Sequence, residues 1–330
     1  MLNEDIGKIN SDLKDHSFED QTVLVTGGAG FLGSWMCDVL IAQNAKVICL
    51  DNLASGREQN IENLKENENF SFLLHDISNP VILDKKIDFV LHMASRASPL
   101  EFEQFPIQIM KANTLGTWIA LGIAKKNKAR LLFTSTSEIY GESQIIPTPE
   151  TYHGNVNTLG IRGCYDEAKR AGEATCMAYM RQHGVDVRIV RIFNTYGPRM
   201  AENDGRVISN FIVQNLKNKN ITVFGDGSQT RSFCYVKDLV EGLYKMMNQD
   251  YLGPVNLGNT NETTIIEIAK KITNYTKSSS KIIFNSLPED DPKQRKPDIS
   301  LAKEKLNWEP KTSFEQGIKK TIEYFKSSLS

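Results

Sequence analysis

With 330 residues, 40% of them hydrophobic and 24% charged, the chain is long enough for a large buried core and, by length, for about two domains. Its formal charge of -1, from 39 basic and 40 acidic side chains, gives no general field for nucleic acid or an anionic membrane, so any phosphate site must be local. Cys37, Cys49, Cys164, Cys176 and Cys234 show neither C-x-x-C spacing nor a histidine at metal-ligand spacing, which argues against a metal or a disulfide framework and for reduced thiols in a cytoplasmic protein.

In chain order, the first 20 residues carry Asp, Glu, Asn and Lys throughout and hold no signal-peptide core. No apolar run approaches the roughly 20 residues that span a bilayer, so a soluble chain is expected. Thr22–Thr26 is a short apolar β-branched run, followed by a glycine turn and an apolar helical pattern over Phe31–Gln43. Lys46–Leu50 predicts a strand ending at Asp51, and Ser71–Leu74, Phe89–His92, Arg130–Thr134 and Val187–Ile192 predict further strands separated by helical stretches. This alternation implies a parallel sheet covered on both faces. After Pro198 the pattern loosens into a helix around Val207–Asn218, a strand Thr222–Phe224 and a turn at Gly225-Asp226-Gly227. A strand near Lys281–Phe284, a proline-marked loop from Pro288 to Pro297 and an amphipathic helix over Ser313–Phe325 close a smaller, less regular lobe.

Gly27-Gly28-Ala29-Gly30-Phe31-Leu32-Gly33 places G-x-x-G-x-x-G directly after the first strand and at the start of a helix. Glycines there let the backbone turn tightly and approach a pyrophosphate, while the helix N-terminus presents N–H groups and partial positive charge. Asp51 lies 18 residues beyond Gly33 at the end of the next strand. A carboxylate at that point accepts from adenosine ribose hydroxyls and repels a 2′-phosphate, which favours NAD over NADP; nearby Arg57 weakens the preference. Asp76-Ile77, after the third strand, is placed to flank adenine. His92 ends a buried strand, where packing or backbone hydrogen bonding competes with a catalytic role.

Tyr165 and Lys169 are four residues apart in a helical stretch, which puts phenol and ammonium on one face. Such a pair is either an exposed helical contact or a base: a cation beside a phenol lowers its usual pKa of about 10 by roughly one to three units. Cys164 adjoins Tyr165, but successive helical residues diverge by about 100°, so packing is its expected role.

With the glycine turn, Asp51, Thr134-Ser135-Thr136-Ser137-Glu138-Ile139-Tyr140-Gly141 and Tyr165/Lys169 in that order, the chain resembles the extended short-chain dehydrogenase/reductase family of nucleotide-sugar enzymes over about residues 20 to 325. Cys164-Tyr165-Asp166-Glu167, Arg191-Ile192-Phe193-Asn194-Thr195-Tyr196-Gly197-Pro198-Arg199-Met200, Gln229-Thr230-Arg231-Ser232-Phe233-Cys234-Tyr235-Val236 and Asp290–Asp298 look most like its UDP-glucuronate decarboxylase branch. The resemblance implies an α/β fold: a Rossmann-type doubly wound parallel sheet with a smaller C-terminal α/β substrate lobe. An NAD-binding domain over 20–195, with 234–257 returning to it, and a UDP-sugar lobe from 196–233 and 258–330 are expected, as is a homodimer through the helices near Asn113 and Tyr165.

For the site, the resemblance implies that Gly27, Gly30, Phe31, Leu32, Asp51, Asn52, Ser55, Gly56, Asp76, Ile77, Met93, Ser95, Thr134, Tyr165, Lys169 and Thr195 hold NAD. Tyr165 would take the sugar C4 hydroxyl proton beside Lys169, with Thr136 or Ser137 on the same oxygen. Glu138 would adjust the ring and the proton transfers after oxidation, unless it only caps a loop. Arg295, flanked by Lys293 and Lys296, would face the departing carboxylate, unless that loop is merely solvated. Arg231, Asn194 and Arg206 would bind the diphosphate, Lys111 would reach the substrate carboxylate, and Tyr235 and Phe224 would border the nucleotide unless, as is the default for each, they pack in the core. Related 4,6-dehydratases have an aspartic acid at the Ser137 position, and 4-epimerases usually lack a carboxylate at the Glu138 position, so Ser137-Glu138 points to decarboxylation of UDP-glucuronate to UDP-xylose. Arg96 stands where the family usually has proline: it binds a hexuronate carboxylate, is a surface residue, or marks altered specificity such as 4-epimerisation. A non-catalytic NAD-binding scaffold is disfavoured by Tyr165, Lys169 and Glu138 together.

Overall fold

A computed structural model of the chain describes residues 2–13, 18–287 and 294–329. Leu2–Asp12 forms helix α1, where the sequence gives only a weak signal because Asp5, Ile6 and Ile9 alone are buried. The expected alternation then follows: β1 (Thr22–Thr26), α2 (Phe31–Ala42), β2 (Lys46–Asp51), β3 (Phe70–Leu74) and β4 (Phe89–His92). Three helices, α3 (Pro99–Gln104), α4 (Pro106–Asn113) and α5 (Leu115–Asn127), lead to β5 (Arg130–Thr136) and a 3-10 turn at Ser137–Tyr140. A long connection precedes α6 (Gly163–His183), which feeds β6 (Val187–Ile192).

Small and regular elements continue with β7 (Thr195–Tyr196), α7 (Val207–Leu216), β8 (Ile221–Phe224), β9 (Thr230–Ser232), β10 (Cys234–Tyr235), α8 (Val236–Met247) and β11 (Pro254–Leu257). The chain closes with β12 (Glu262–Thr264), α9 (Ile265–Thr276), β13 (Ile282–Asn285), β14 (Gln294–Arg295), α10 (Ser300–Leu306) and α11 (Phe314–Leu329).

Seven of these strands form one parallel sheet in the order β11-β6-β5-β4-β1-β2-β3, the doubly wound arrangement. Strand residues alternate between its faces. Val23, Val25 and Cys49 join α2 and α8 in one apolar cluster, while Leu24, Ile48 and Leu50 join α5 and α6 in another. Each fully buried Val, Leu or Ile side chain stabilises by about 1.5–3 kcal/mol relative to exposure, so both faces are covered at a gain. β11 comes back from the C-terminal half to pair with β6, Leu257 opposite Ile192.

The smaller lobe holds a three-stranded sheet, β12-β9-β14, and a parallel pair, β8 with β13. Part of the proline-marked segment expected as a loop is a strand: Gln294 and Arg295 complete a ladder offered by β9, with Arg295 opposite Arg231. Lys293 and Asp290 to Pro292 lie outside the described residues. The five cysteines are free, and among the described residues no helix is long and apolar enough to cross a membrane.

Candidate active site

The strand order reverses between β1 and β4, and ligands of doubly wound sheets bind in the crevice at that point. Gly27 leaves β1 with φ +72° and donates its N–H to Leu50 O at 2.7 Å. A Cβ there would stand 2.7 Å from Ala94 Cα, and one at Gly33 would stand 2.1 Å from Gly27 O. Neither position has room for a side chain, which is why the turn needs bare backbone. Gly30 is the N-cap of α2 with no side chain capping it, so Phe31 and Leu32 open a helix whose first N–H groups and positive dipole end suit a pyrophosphate.

Asp51 Oδ2 accepts from Ala29 N at 3.0 Å and Oδ1 from Leu53 N at 2.8 Å. Burial pushes this carboxyl up against those amide donors. A carboxylate has about four lone-pair sites, so capacity for a ribose diol remains. A Cβ at Gly56 would meet both Asp51 oxygens at 2.8 Å, and exposed Ser55 precedes it. Asn52 donates to Asp76 Oδ2 at 3.1 Å, beside buried Ile77. Met93 N donates to Thr26 O (3.1 Å), Ser95 Oγ to Arg96 O (3.3 Å), Thr134 Oγ1 to His92 O (2.9 Å) and Thr195 Oγ1 to Phe193 O (2.9 Å). Each of these residues lies at the carboxyl end of a parallel strand or in the segment after it.

One expectation at this end changes, and the packing reading of His92 holds. Arg57 does not await a 2′-phosphate, because its Nη2 donates to Arg199 O (3.1 Å) and Met200 O (3.2 Å). His92 is a hydrogen-bonded core histidine: Nδ1 is 2.8 Å from Thr26 Oγ1 and Nε2 3.2 Å from Thr117 Oγ1, with burial and then Lys169 holding it down at about 3.

Tyr165 and Lys169 are both buried on the first turns of α6. Lys169 Nζ donates to Thr134 O at 2.7 Å and lies 6.0 Å from the Tyr165 ring centroid. Burial lowers the ammonium to about 7 and raises the phenol to about 12, a hydrogen bond with Thr136 opposing the latter. The lowering of Tyr165 expected from its neighbouring cation is thus not seen, since desolvation of the phenolate prevails.

Beside this pair, the 3-10 turn presents Glu138. Ser137 Oγ donates to its Oε1 at 3.3 Å, and its own N–H donates to Thr136 Oγ1 at 3.2 Å. Arg295 donates to Glu138 Oε2 at 3.0 Å, Ser137 O at 2.7 Å and Gly141 O at 3.2 Å. Arg162 bonds the same Oε2, and its Nε lies 3.9 Å from Asp166 Oδ2. Burial pushes Glu138 up, but Arg295 and Arg162 outweigh it and hold the carboxyl at about 2. Burial, then the Glu138 charge, pushes Asp166 up to about 7; among the described residues its buried Oδ1 has no hydrogen-bond partner.

Arg231 is buried, donates to Thr230 O at 2.9 Å and adds positive charge toward Glu138. Arg206, the N-cap of α7, donates to Ala97 O at 3.0 Å and stands 3.4 Å from Asp204 Oδ2. Asn194 is half-buried just before β7.

The fold thus brings Thr136, Ser137, Glu138, Tyr165, Lys169, Arg231 and Arg295 into one cluster. Others fall elsewhere. Tyr235 is not at the nucleotide: it is buried, and its hydroxyl donates to Asp5 Oδ2 at 2.8 Å. Arg96 is no free cation, because it pairs with Glu101 and its guanidinium lies 4.2 Å from the Phe105 ring centroid. Lys111 and Phe224 stand exposed. Arg162 escaped the sequence reading; its signal was an arginine one turn before Asp166 and three residues before Tyr165.

A doubly wound sheet with a bare glycine turn, a ribose carboxylate and a Tyr-Lys pair beside a charged pocket defines a dinucleotide-dependent enzyme. The chain matches the model of the NAD dependent epimerase/dehydratase family over residues 23–258. It is 48% identical over 307 residues to UDP-glucuronic acid decarboxylase 1 of Xenopus tropicalis, covering 93% of this chain and 72% of that protein. Its structure resembles UDP-glucose 4-epimerase of Thermotoga maritima, with TM-score 0.85, 30% identity and coverage of 94% of this chain and 100% of that one. UDP-glucuronic acid 4-epimerase of Bacillus cereus, in complex with UDP-glucuronic acid and NAD, gives TM-score 0.84 at 27% identity over 93% of this chain and 100% of that one. The chain belongs to the NAD dependent epimerase/dehydratase family and, within it, to the UDP-glucuronic acid decarboxylase family, which makes NAD its cofactor.

Proposed function

We propose that the chain converts UDP-glucuronate to UDP-xylose and carbon dioxide with no net redox change. The carrying observation is Glu138, held ionised between Arg295 and Arg162 next to the Tyr165/Lys169 pair. When bound, NAD supplies the reversible oxidation at sugar C4. Tyr165, as the phenolate, takes the C4 hydroxyl proton in the oxidation and returns it to the C4 oxygen when the ketone is reduced again after carbon loss; Thr136 orients that oxygen, and Lys169 is the cation that must offset the burial raising the phenol. The 4-keto uronate so formed is a β-keto acid: its C5–carboxylate bond breaks as the electrons pass into the C4 ketone, carbon dioxide leaves, and C5 takes a proton from water. Arg295 and Arg162 orient the carboxylate, bidentate forks suiting that group, while Glu138 sets the ring and the water. Arg231, Asn194 and Arg206 bind the diphosphate.

The sequence relatives named as decarboxylases support this reading over 4-epimerisation. So does the engagement of Arg96 by Glu101, since Arg96 was the residue that spoke for epimerisation. Two copies are proposed to pair through the helices of the Asn113 and Tyr165 regions, beside which Ile107, Met110, Leu115 and Trp118 of α4 and α5 are exposed. Incubation with UDP-glucuronate and NAD tests the reaction: carbon dioxide with UDP-xylose supports it, and UDP-galacturonate without gas sinks it.

A further inference from the structure

We propose that Asn256 and Tyr140 form a clip that fixes Glu138 against Arg295 and thereby governs the carbon-loss step rather than the sugar oxidation; its functional half rests on the decarboxylase reading above. Glu138 and Arg295 are 157 residues apart in sequence, and their contact is assembled from a 3-10 turn and a two-residue strand. Neither element is long enough to hold itself in place; Arg295 ties the two directly through Ser137 O and Gly141 O, and further support comes from outside.

Tyr140 ends the turn that carries Glu138 and is fully buried. Its hydroxyl donates to Asn256 Oδ1 at 2.8 Å. Asn256, fully buried on β11, donates through Nδ2 to Asp298 O at 3.1 Å and to Thr148 O at 3.0 Å. Thr148 is in turn knitted to the chain just after Arg295: its N–H donates to Lys296 O at 2.9 Å, and Asp298 N donates to Thr148 O at 3.0 Å. One side-chain amide therefore bonds the turn of Glu138 on one side and the segment of Arg295 on the other.

The remaining valences of the clip are also filled. Arg191 Nη1 donates to the Tyr140 hydroxyl at 2.9 Å, and the same guanidinium grips the Glu173 carboxylate at 3.0 and 2.8 Å. Asn256 N donates to Glu150 Oε1 at 2.8 Å. A buried polar network is costly unless its members are paired, and a fully paired one specifies a single geometry. Carbon loss needs that geometry, because Arg295 and Glu138 act on one carboxylate and one water. C4 oxidation depends on Tyr165 and Lys169, whereas the clip meets their helix α6 at other residues: Glu173 by way of Arg191, and Arg170, which donates to Ile139 O at 3.0 Å.

Tyr140→Phe removes one oxygen and keeps the ring. With purified holoenzyme and UDP-glucuronate, single-turnover carbon dioxide release should fall about tenfold or more, since small displacements of reacting groups are that costly. The first oxidation, followed by absorbance at 340 nm, should keep its wild-type rate, and the 4-keto sugar should accumulate. Asn256→Ser, which shortens the clip, should show the same split and carries the test if the first variant does not fold. Hydrogen exchange should quicken together in segments 137–141 and 294–298. Parallel loss of both steps, unchanged carbon dioxide release, or quickened exchange in only one segment would overturn the clip. A wild-type chain that releases no carbon dioxide would instead sink the decarboxylase reading, leaving the exchange measurement to judge the clip.

Discussion

At the nucleotide end of the crevice, Asp51 is bound by Ala29 N and Leu53 N, and Gly27 by Leu50 O, all within one β1-α2-β2 unit. At the sugar end, Glu138 is bound by Arg162 and Arg295, which arrive from 24 and 157 residues away. Backbone holds the first site and side-chain charge holds the second. The first should therefore fail through sterics, and the second through charges left without partners.

The largest expected effect lies where the two ends meet. Tyr165→Phe removes the proton acceptor for C4 and should lower turnover about 10³-fold, read as carbon dioxide and UDP-xylose formed. Retained turnover would take Tyr165 out of the mechanism. At the nucleotide end, Gly33→Ala would press a methyl to 2.1 Å from Gly27 O. Opening the turn to admit it costs about 1–3 kcal/mol and should weaken NAD binding by about tenfold or more, measured by titration calorimetry. Wild-type affinity would show that the turn yields without harming the cofactor site.

The same contrast explains what the sequence could disclose. The strands of the sheet, the glycine turn, Asp51 and the Tyr165/Lys169 pair are local patterns whose period or spacing has one geometric meaning. Arg162, Tyr140 and Asn256 have no such pattern, because their partners are set by tertiary contact. Tyr235 stays open between core and nucleotide border for the same reason, and only the fold decides: its hydroxyl is claimed by Asp5, 230 residues away. The Tyr165 phenol shows a further limit, since spacing identifies the adjacent cation but not the burial that outweighs it.

The sugar end is best broken at Glu138. Glu138→Gln leaves Arg162 and Arg295 facing a neutral amide, and loss of one partner from a largely buried pair should cost about 3 kcal/mol at neutral pH, measured by denaturant unfolding. The pH dependence has a definite sign. The folded carboxyl titrates at about 2, below its ordinary 4.5, so its stabilisation is present above pH 4.5 and is lost as pH falls from 4.5 toward 2. The gap between wild type and Glu138→Gln should close over that interval. A gap that does not change with pH would mean that the arginines do not act on Glu138 through charge.

Asp166 gives the smallest and most discriminating test, because its shift runs the other way. Its folded carboxyl titrates at about 7 against an ordinary 3.8, so between those values the folded chain binds the extra proton and stability falls as pH rises. Asp166→Asn should match wild type near pH 3.5 and exceed it at pH 8 by on the order of 1–2 kcal/mol. After burial, the Glu138 charge is the main cause of the shift. In a Glu138→Gln background Asp166 should therefore ionise more readily beside Arg162, and the gain from Asp166→Asn should shrink. A double-mutant cycle measures that coupling directly, and additive effects would mean that the sugar end is not the single charge network its contacts describe.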